Sequence, residues 1–264
     1  MTRHKILSFT VMYFIQAWTL GVDSKMVHLH QPGLNSPIPL DMVPNSVDDM
    51  YYGCTEQMYN KVQKEYLPKE NNTEIFRKPW LNAKKCASKN KMNEDKLSED
   101  HIKAICAYTA GDFKIYPVFN HQVRTSSTVY RSTFQFHSLH FFLTDALRLL
   151  KENQQRCYKT FRRTNMVFLG EVNKIIRFGF FASSSFLKNL TDFGEKSCFN
   201  ITTCAGADLK SYPVMGDKEQ EVLIPPFEMF KITKKEKGQK VLNCETLYYL
   251  DSVGLQSNLN CKAV

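Results

Sequence analysis

Three short blocks in the second half of the chain gather side chains able to do polar chemistry. Cys157-Tyr-Lys-Thr-Phe-Arg162 ends an extended stretch on an arginine, whose planar fork of donors suits a phosphate or a carboxylate. Arg177-Phe-Gly-Phe-Phe-Ala-Ser183-Ser184-Ser185 runs an apolar strand into three hydroxyls. Glu219-Gln-Glu221-Val-Leu-Ile-Pro-Pro-Phe-Glu-Met-Phe230 sets two carboxylates, one residue apart, at the entrance to another apolar strand. Each block alone is weak: a Glu-x-Glu on a loop is commonly a solvated face, a serine triplet commonly a turn, a strand-end arginine commonly a surface charge. Together they could hold an anionic ligand at the arginine and stabilise or accept positive charge at the carboxylates. Other chemistries lack their spacing. No Gly-x-Gly-x-x-Gly opens a dinucleotide fold, no Cys-x-x-Cys offers a zinc or redox pair, and no histidines stand at metal-ligand spacing.

The elements that must position these blocks change character near the middle of the chain. Ser46, with Asp48 and Asp49 behind it, reads as the start of a helix, followed at helical spacing by Met50, Cys54, Met58, Val62 and Tyr66. The lysine-rich stretch Asn82 to Lys96 reads as a loop. Ser98 caps a helix from Glu99 to Tyr108, and Phe136 to Leu150 carries the wide apolar face of a buried helix. Beyond Gln155 the segments Cys157 to Arg162, Ile175 to Phe181, Cys198 to Thr203, Val222 to Ile232 and Val241 to Leu250 are short and rich in β-formers. The expected fold is α+β, a helical N-terminal half packed on a C-terminal β core of two small sheets. No internal repeat and no Pro- or Gly-rich linker divides residues 25–264, which are expected to form a single domain.

Composition bounds the setting. Arg3, His4 and Lys5 precede an apolar run from Ile6 to Leu20, with Gly21 and Ser24 behind it, so residues 1–24 are expected to be a secretory signal peptide. The hydrophobic share of 43% supports a packed core. The formal charge of +9 is scattered; its densest run, Lys231 to Lys240, mixes lysine with glutamate and reads as a solvated hairpin tip, so no nucleic-acid partner is expected. Cysteines at 54, 86, 106, 157, 198, 204, 244 and 261 make an even set, which behind a signal peptide argues for disulfides in an oxidising compartment. Asn71, Asn189 and Asn200 open N-x-S/T acceptor triplets for glycans.

In this order, the three blocks resemble the arginine–serine–Glu-x-Glu signature of the vertebrate arginine-specific ecto-mono-ADP-ribosyltransferases. Pro39-Leu-Asp-Met-Val-Pro-Asn-Ser-Val-Asp-Asp-Met-Tyr-Tyr-Gly-Cys54 is similar to that family's N-terminal block, and Leu139-His-Phe-Phe-Leu-Thr-Asp-Ala-Leu-Arg148 to its central helix, so the resemblance covers roughly residues 38–261. It implies an ADP-ribosyltransferase-like fold, NAD as co-substrate with NADP also admissible, no metal, and arginine-bearing target proteins outside the cell. It assigns Glu221 to the ribose, where a carboxylate can stabilise the cationic transition state of nicotinamide release. Glu219, on the same side if the segment is extended, would pair with the incoming guanidinium. Arg162 would grip the diphosphate or ribose, Ser183 would bond the nicotinamide-side ribose or the carboxylate, and Phe193 in Asp192-Phe-Gly194 could stack on nicotinamide. The resemblance also pairs Cys54 with Cys261 and Cys157 with Cys204. The other four cysteines allow three pairings, of which Cys86–Cys106 and Cys198–Cys244 are favoured because each stays within one half of the chain.

Two departures stand out. The family usually has glycine after the motif arginine, where this chain has Arg163, which could crowd the pocket or point away. Many relatives carry an apolar tail exchanged for a glycolipid anchor, whereas this chain reads Asn260-Cys-Lys-Ala-Val264, so a released protein without a membrane anchor is expected. Two competing readings remain: NAD glycohydrolysis in the same site, against which Glu219 argues, and a silent binding protein that keeps the fold, against which Glu221 argues.

Overall fold

The structure, a computed structural model, describes residues 37–90, 95–110, 115–239 and 243–264. The expected signal segment, residues 1–24, lies outside them. The helical half holds α1 (Thr55–Lys61), continued by a π-helical turn (Val62–Tyr66) and α2 (Leu67–Glu70), then α3 (Glu74–Lys89), α4 (Glu99–Thr109), α5 (Ile115–Thr125) and α6 (His137–Glu152). Ser98 caps α4 with a reciprocal box in which His101 takes the place of the usual glutamate: the His101 amide donates to Ser98 Oγ (3.3 Å) and the Ser98 amide to His101 Nδ1 (3.0 Å). α6 is buried on nearly every side, so it sits between the other helices and the sheet.

The strands are β1 (Ile38–Pro39), β2 (Tyr158–Thr164), β3 (Phe168–Leu169), β4 (Ile175–Arg177), β5 (Ala182–Ser185), β6 (Ser197–Thr203), β7 (Ala207–Asp208), β8 (Glu221–Ile224), β9 (Glu228–Gln239) and β10 (Cys244–Leu255). β1 and β3 form a parallel pair, and the rest run in the order β4-β9-β10-β6-β2-β5-β8-β7. One junction is thin. β2 and β6 are paired along seven residues, but β2 meets β5 only at Phe161↔Ser185. The sheet is therefore a five-strand body and a three-strand body (β5, β8, β7) joined at one ladder position.

Four segments differ from the sequence reading. Residues 46–54 are not helical: Val43, Tyr51 and Gly53 have φ of 42°, 55° and 87°, and the helix begins at Thr55. Asp48 and Asp49 instead bind partners far along the chain. Asp48 pairs with Arg177 Nη1 (2.6 Å) and accepts the amides of Asn258 and Leu259; Asp49 accepts the Cys261 amide and the Tyr130 hydroxyl. Asn82 to Lys89 belongs to α3, whose buried stripe ends in the small residues Ala83 and Ala87 while the lysines face solvent. The stretch Val222 to Ile232 is two strands broken at Pro225-Pro226, because proline cannot donate to a ladder. The stretch Ile175 to Phe181 is a strand only as far as Arg177.

Four disulfides are formed: Cys54–Cys261, Cys86–Cys106, Cys157–Cys204 and Cys198–Cys244. The acceptor Asn189 is exposed, and Asn71 and Asn200 are half-buried. Among the described residues no helix is long and apolar enough to cross a membrane.

Arg177 and Asp48 are both fully buried, and the guanidinium also donates to the carbonyls of Met42, Val43 and Gln256. Asp48→Asn would leave this cation without its counter-charge, so a loss of about 3–5 kcal/mol is expected. Urea unfolding checks it: the midpoint should fall at an unchanged slope, and a variant as stable as the parent would refute the role of the pair.

Candidate functional site

The site lies where β2 and β5 part. Beyond the Phe161↔Ser185 pair the strands diverge, and Arg162 fills the gap, its Nη1 donating to the Ser183 carbonyl at 2.7 Å. The guanidinium is buried, with its carbon 5.7 Å from the centre of the Phe180 ring. Burial pushes its pKa down to about 10, opposed by the nearby Tyr108 and Tyr116 hydroxyls and the Glu221 carboxylate, so it stays charged at neutral pH. This is a cation kept out of water beside a carboxylate, an arrangement suited to a phosphate-bearing ligand.

Glu221 opens β8 and is buried, and its register partner is Ser185 on β5. Ser184 Oγ donates to the Val222 carbonyl (2.9 Å), which ties the serine strand to β8. Ser183 is buried, and its Oγ makes no hydrogen bond of good geometry, only a weak contact with the Tyr108 hydroxyl. The Tyr108 hydroxyl beside it is already engaged, donating to the Phe181 carbonyl (2.6 Å) and accepting from Asn120 Nδ2 (3.0 Å). A buried hydroxyl without a partner is costly unless something else bonds it. Ser183 thus has the character of a group prepared for a ligand.

Glu219 is placed differently from expectation. The segment is not extended: Gly216–Glu219 is a 3-10 turn, and Gln220 is left-handed with φ of 45°. Strand alternation therefore does not set the relation of the two carboxylates. What holds Glu219 near the cleft is its carbonyl, which accepts from Ser185 Oγ at 2.5 Å, and the half-buried side chain stands at the rim. Phe193 is buried in a separate small cluster with Leu190, on the connection between β5 and β6.

Arg163 follows Arg162 on the strand and projects to its other face. Its Nε donates to the Lys188 carbonyl (3.2 Å) and its Nη1 to the Gly194 carbonyl (3.3 Å), so it does not crowd Arg162. Sequence reading did not single out Tyr108, Tyr116, Asn120 or Phe180. The first three come from α4 and α5, and only tertiary packing brings them here. A cavity of about 1230 Å³ lies elsewhere, lined by Leu147, Lys151, Cys157, Pro225, Phe227 and Leu255. It contains none of the polar cluster, and the cluster, not volume, decides where chemistry can occur.

Comparison with known proteins agrees in sequence and in shape. The sequence model of the family described as NAD:arginine ADP-ribosyltransferase matches residues 40–248. The chain is 33% identical over 231 residues to NAD(P)(+)--arginine ADP-ribosyltransferase 2 of Gallus gallus, covering 84% of this chain and 72% of the relative. It is 32% identical over 237 residues to Ecto-ADP-ribosyltransferase 4 of Mus musculus, covering 85% and 76%. The crystal structure of the mono-ADP-ribosyltransferase ART2.2 superposes with a TM-score of 0.72 at 28% identity, covering 85% of this chain and 99% of that one. A mutant of that enzyme in complex with NAD gives 0.70 at 28% identity, with the same coverage.

The neighbouring serines separate ligand binding from stability. Ser183→Ala removes a hydroxyl whose polar contact in the fold is a weak one with Tyr108 and is expected to change stability by less than about 0.5 kcal/mol. Ser184→Ala loses a buried bond and is expected to cost about 1 kcal/mol. Denaturant melts of the two variants check the order; a larger loss for Ser183→Ala would mean that its hydroxyl serves the fold.

Proposed function

The chain belongs to the NAD:arginine ADP-ribosyltransferase family and moves ADP-ribose from NAD to arginine side chains with release of nicotinamide; we propose that Arg162, Ser183, Glu221 and Glu219 carry the reaction. The observation that supports this most is the buried trio at the β2–β5 gap: a charged guanidinium, a hydroxyl without a hydrogen bond of good geometry and a carboxylate. NAD offers complementary groups, since its diphosphate suits the guanidinium and its ribose hydroxyls suit Ser183 and Glu221.

Glu221 acts on the ribose. As the bond from ribose C1′ to nicotinamide breaks, nicotinamide leaves with the electron pair and the sugar becomes cationic. A fixed carboxylate in a dry site stabilises that charge. Arg162 holds the diphosphate through a bidentate fork that lysine cannot reproduce. Glu219, at the rim, pairs with the acceptor guanidinium and takes its proton as the nitrogen attacks C1′. A second carboxylate at the acceptor side favours a cationic acceptor over a neutral one, and this argues against water as the main acceptor. Four disulfides suit an oxidising setting outside the cell, and we place the arginine-bearing targets there.

Glu221→Gln should abolish both transfer and NAD hydrolysis, because both pass through the same cationic sugar. Glu219→Gln should abolish transfer and leave appreciable hydrolysis. Labelled NAD with agmatine, a free guanidine, reads both products, and equal retention of transfer in the two variants would overturn the assignment. Arg162→Lys keeps the charge without the fork and should raise the KM for NAD about tenfold with acceptor preference unchanged.

A further inference from the structure

The connection between β5 and β6 has to cross β2. Ser185 stands opposite Phe161, midway along β2, whereas Ser197 stands opposite Thr164 at its end and on its other edge. The chain between them passes over the face of β2 that carries Arg163. There the guanidinium donates from Nε to the Lys188 carbonyl and from Nη1 to the Gly194 carbonyl, so a single side chain closes the neck of a seven-residue loop. The far end of the loop lies hard against β2. A Cβ on Gly194 would come within 2.4 Å of the Asn165 amide nitrogen, the Glu195 amide donates to Asn165 Oδ1, and the Lys196 amide donates to the Thr164 carbonyl.

The near end of the loop is fastened to the Glu-x-Glu turn. Ser185 Oγ donates to the Glu219 carbonyl (2.5 Å) and accepts the Leu187 amide (2.9 Å), while the Phe186 amide donates to the Gln220 carbonyl (3.2 Å). A continuous path therefore runs from Arg163 through Lys188 and Phe186 to the backbone of Glu219 and Gln220. The Gln220 link depends on this anchoring, because a non-glycine residue in the left-handed region is held there by its surroundings.

We propose that Arg163 is a positioning residue for the acceptor: by closing the Lys188–Gly194 loop it fixes the turn that carries Glu219, and so sets how NAD is divided between arginine and water. A glycine in its place would leave the two carbonyls without this donor and the loop free to move. Because Arg163 lies on the face of β2 away from Arg162, its loss should leave NAD cleavage itself nearly intact. The proposal rests on Glu219 as the acceptor carboxylate.

The test uses the full chain, labelled NAD and agmatine, with Arg163→Met, which keeps the packed stem and loses the donors, beside Arg163→Gly and Arg163→Lys. In Arg163→Met the KM for agmatine should rise about tenfold and the ratio of transfer to hydrolysis should fall by a similar factor, since a small misplacement of a positioning group is costly. Hydrolysis without agmatine should stay within about twofold, and hydrogen exchange should speed up at the amides of residues 187–196. Arg163→Lys should recover part of the ratio, with one contact regained. A folded Arg163→Met or Arg163→Gly with unchanged KM and ratio overturns the proposal, whether or not the loop exchanges faster. Transfer retained in Glu219→Gln would overturn the underlying reading as well, and so tells the two failures apart.

Discussion

A buried arginine cannot shed its charge, and Arg177 is answered by segments from both ends of the described chain. Asp48 supplies the counter-charge, the carbonyls of Met42 and Val43 complete one side, and the Gln256 carbonyl completes the other. Asp48 in turn accepts amides from Asn258 and Leu259, so one ion pair gathers three distant stretches of chain. The consequences run forward along the sequence from Arg177. The Gly179 carbonyl accepts from Ser46 and the Phe178 carbonyl from Arg124, and Gly179 is packed so closely on Val43 that a Cβ would lie 2.6 Å from it. By the time the chain reaches Ser183 it has little freedom left. Much of the placement of Ser183 thus derives from the buried Arg177 pair and the packing that follows it.

The site depends on a second charge, Arg162, treated in the opposite way. Arg177 is saturated by the fold, whereas Arg162 bonds the Ser183 carbonyl at a point where the β2–β5 ladder has already ended. The parting of the strands creates the room, and the guanidinium keeps that room polar. Aromatic side chains from α4 and α5 close the helical side, with Tyr108 held by Asn120 and the Phe181 carbonyl. The helices therefore wall the gap, and the sheet supplies Arg162, Ser183 and Glu221. This division explains why the chemistry is concentrated in the second half of a chain whose first half is mostly helical.

Legibility in the sequence followed the range of the information. α4 and α6 were readable almost to their ends because their periodicity and, for α4, its cap are local. Asp48 and Asp49 imitate the acidic first turn of a helix, yet apart from the Tyr51 amide their partners lie more than 80 residues away, which no local pattern reveals. The end of α3 was hidden because Ala83 and Ala87 bury too little apolar surface to stand out among lysines. The break at Pro225-Pro226 was in plain view and was overridden by the apolar run around it. Arg162, Ser183 and Glu221 stood out as a set because three weak motifs come in a fixed order, and the fold brings the three side chains to the β2–β5 gap. The contacts of Arg163 were not legible, since its partners are main-chain carbonyls, which leave no trace in side-chain types.

All eight cysteines are engaged, and none lies in β5, β8 or β7. Cys157–Cys204 and Cys198–Cys244 staple the five-strand body, Cys86–Cys106 joins α3 to α4, and Cys54–Cys261 joins the helical half to the end of the chain. No disulfide therefore reaches across the narrow β2–β5 junction into the three strands that carry Ser183 and Glu221. In mechanical terms the molecule is cross-linked on one side of its cleft and held by hydrogen bonds and packing on the other. Oxidation can harden the scaffold without tying these three strands to it, so covalent bracing and the candidate site belong to different parts of the chain.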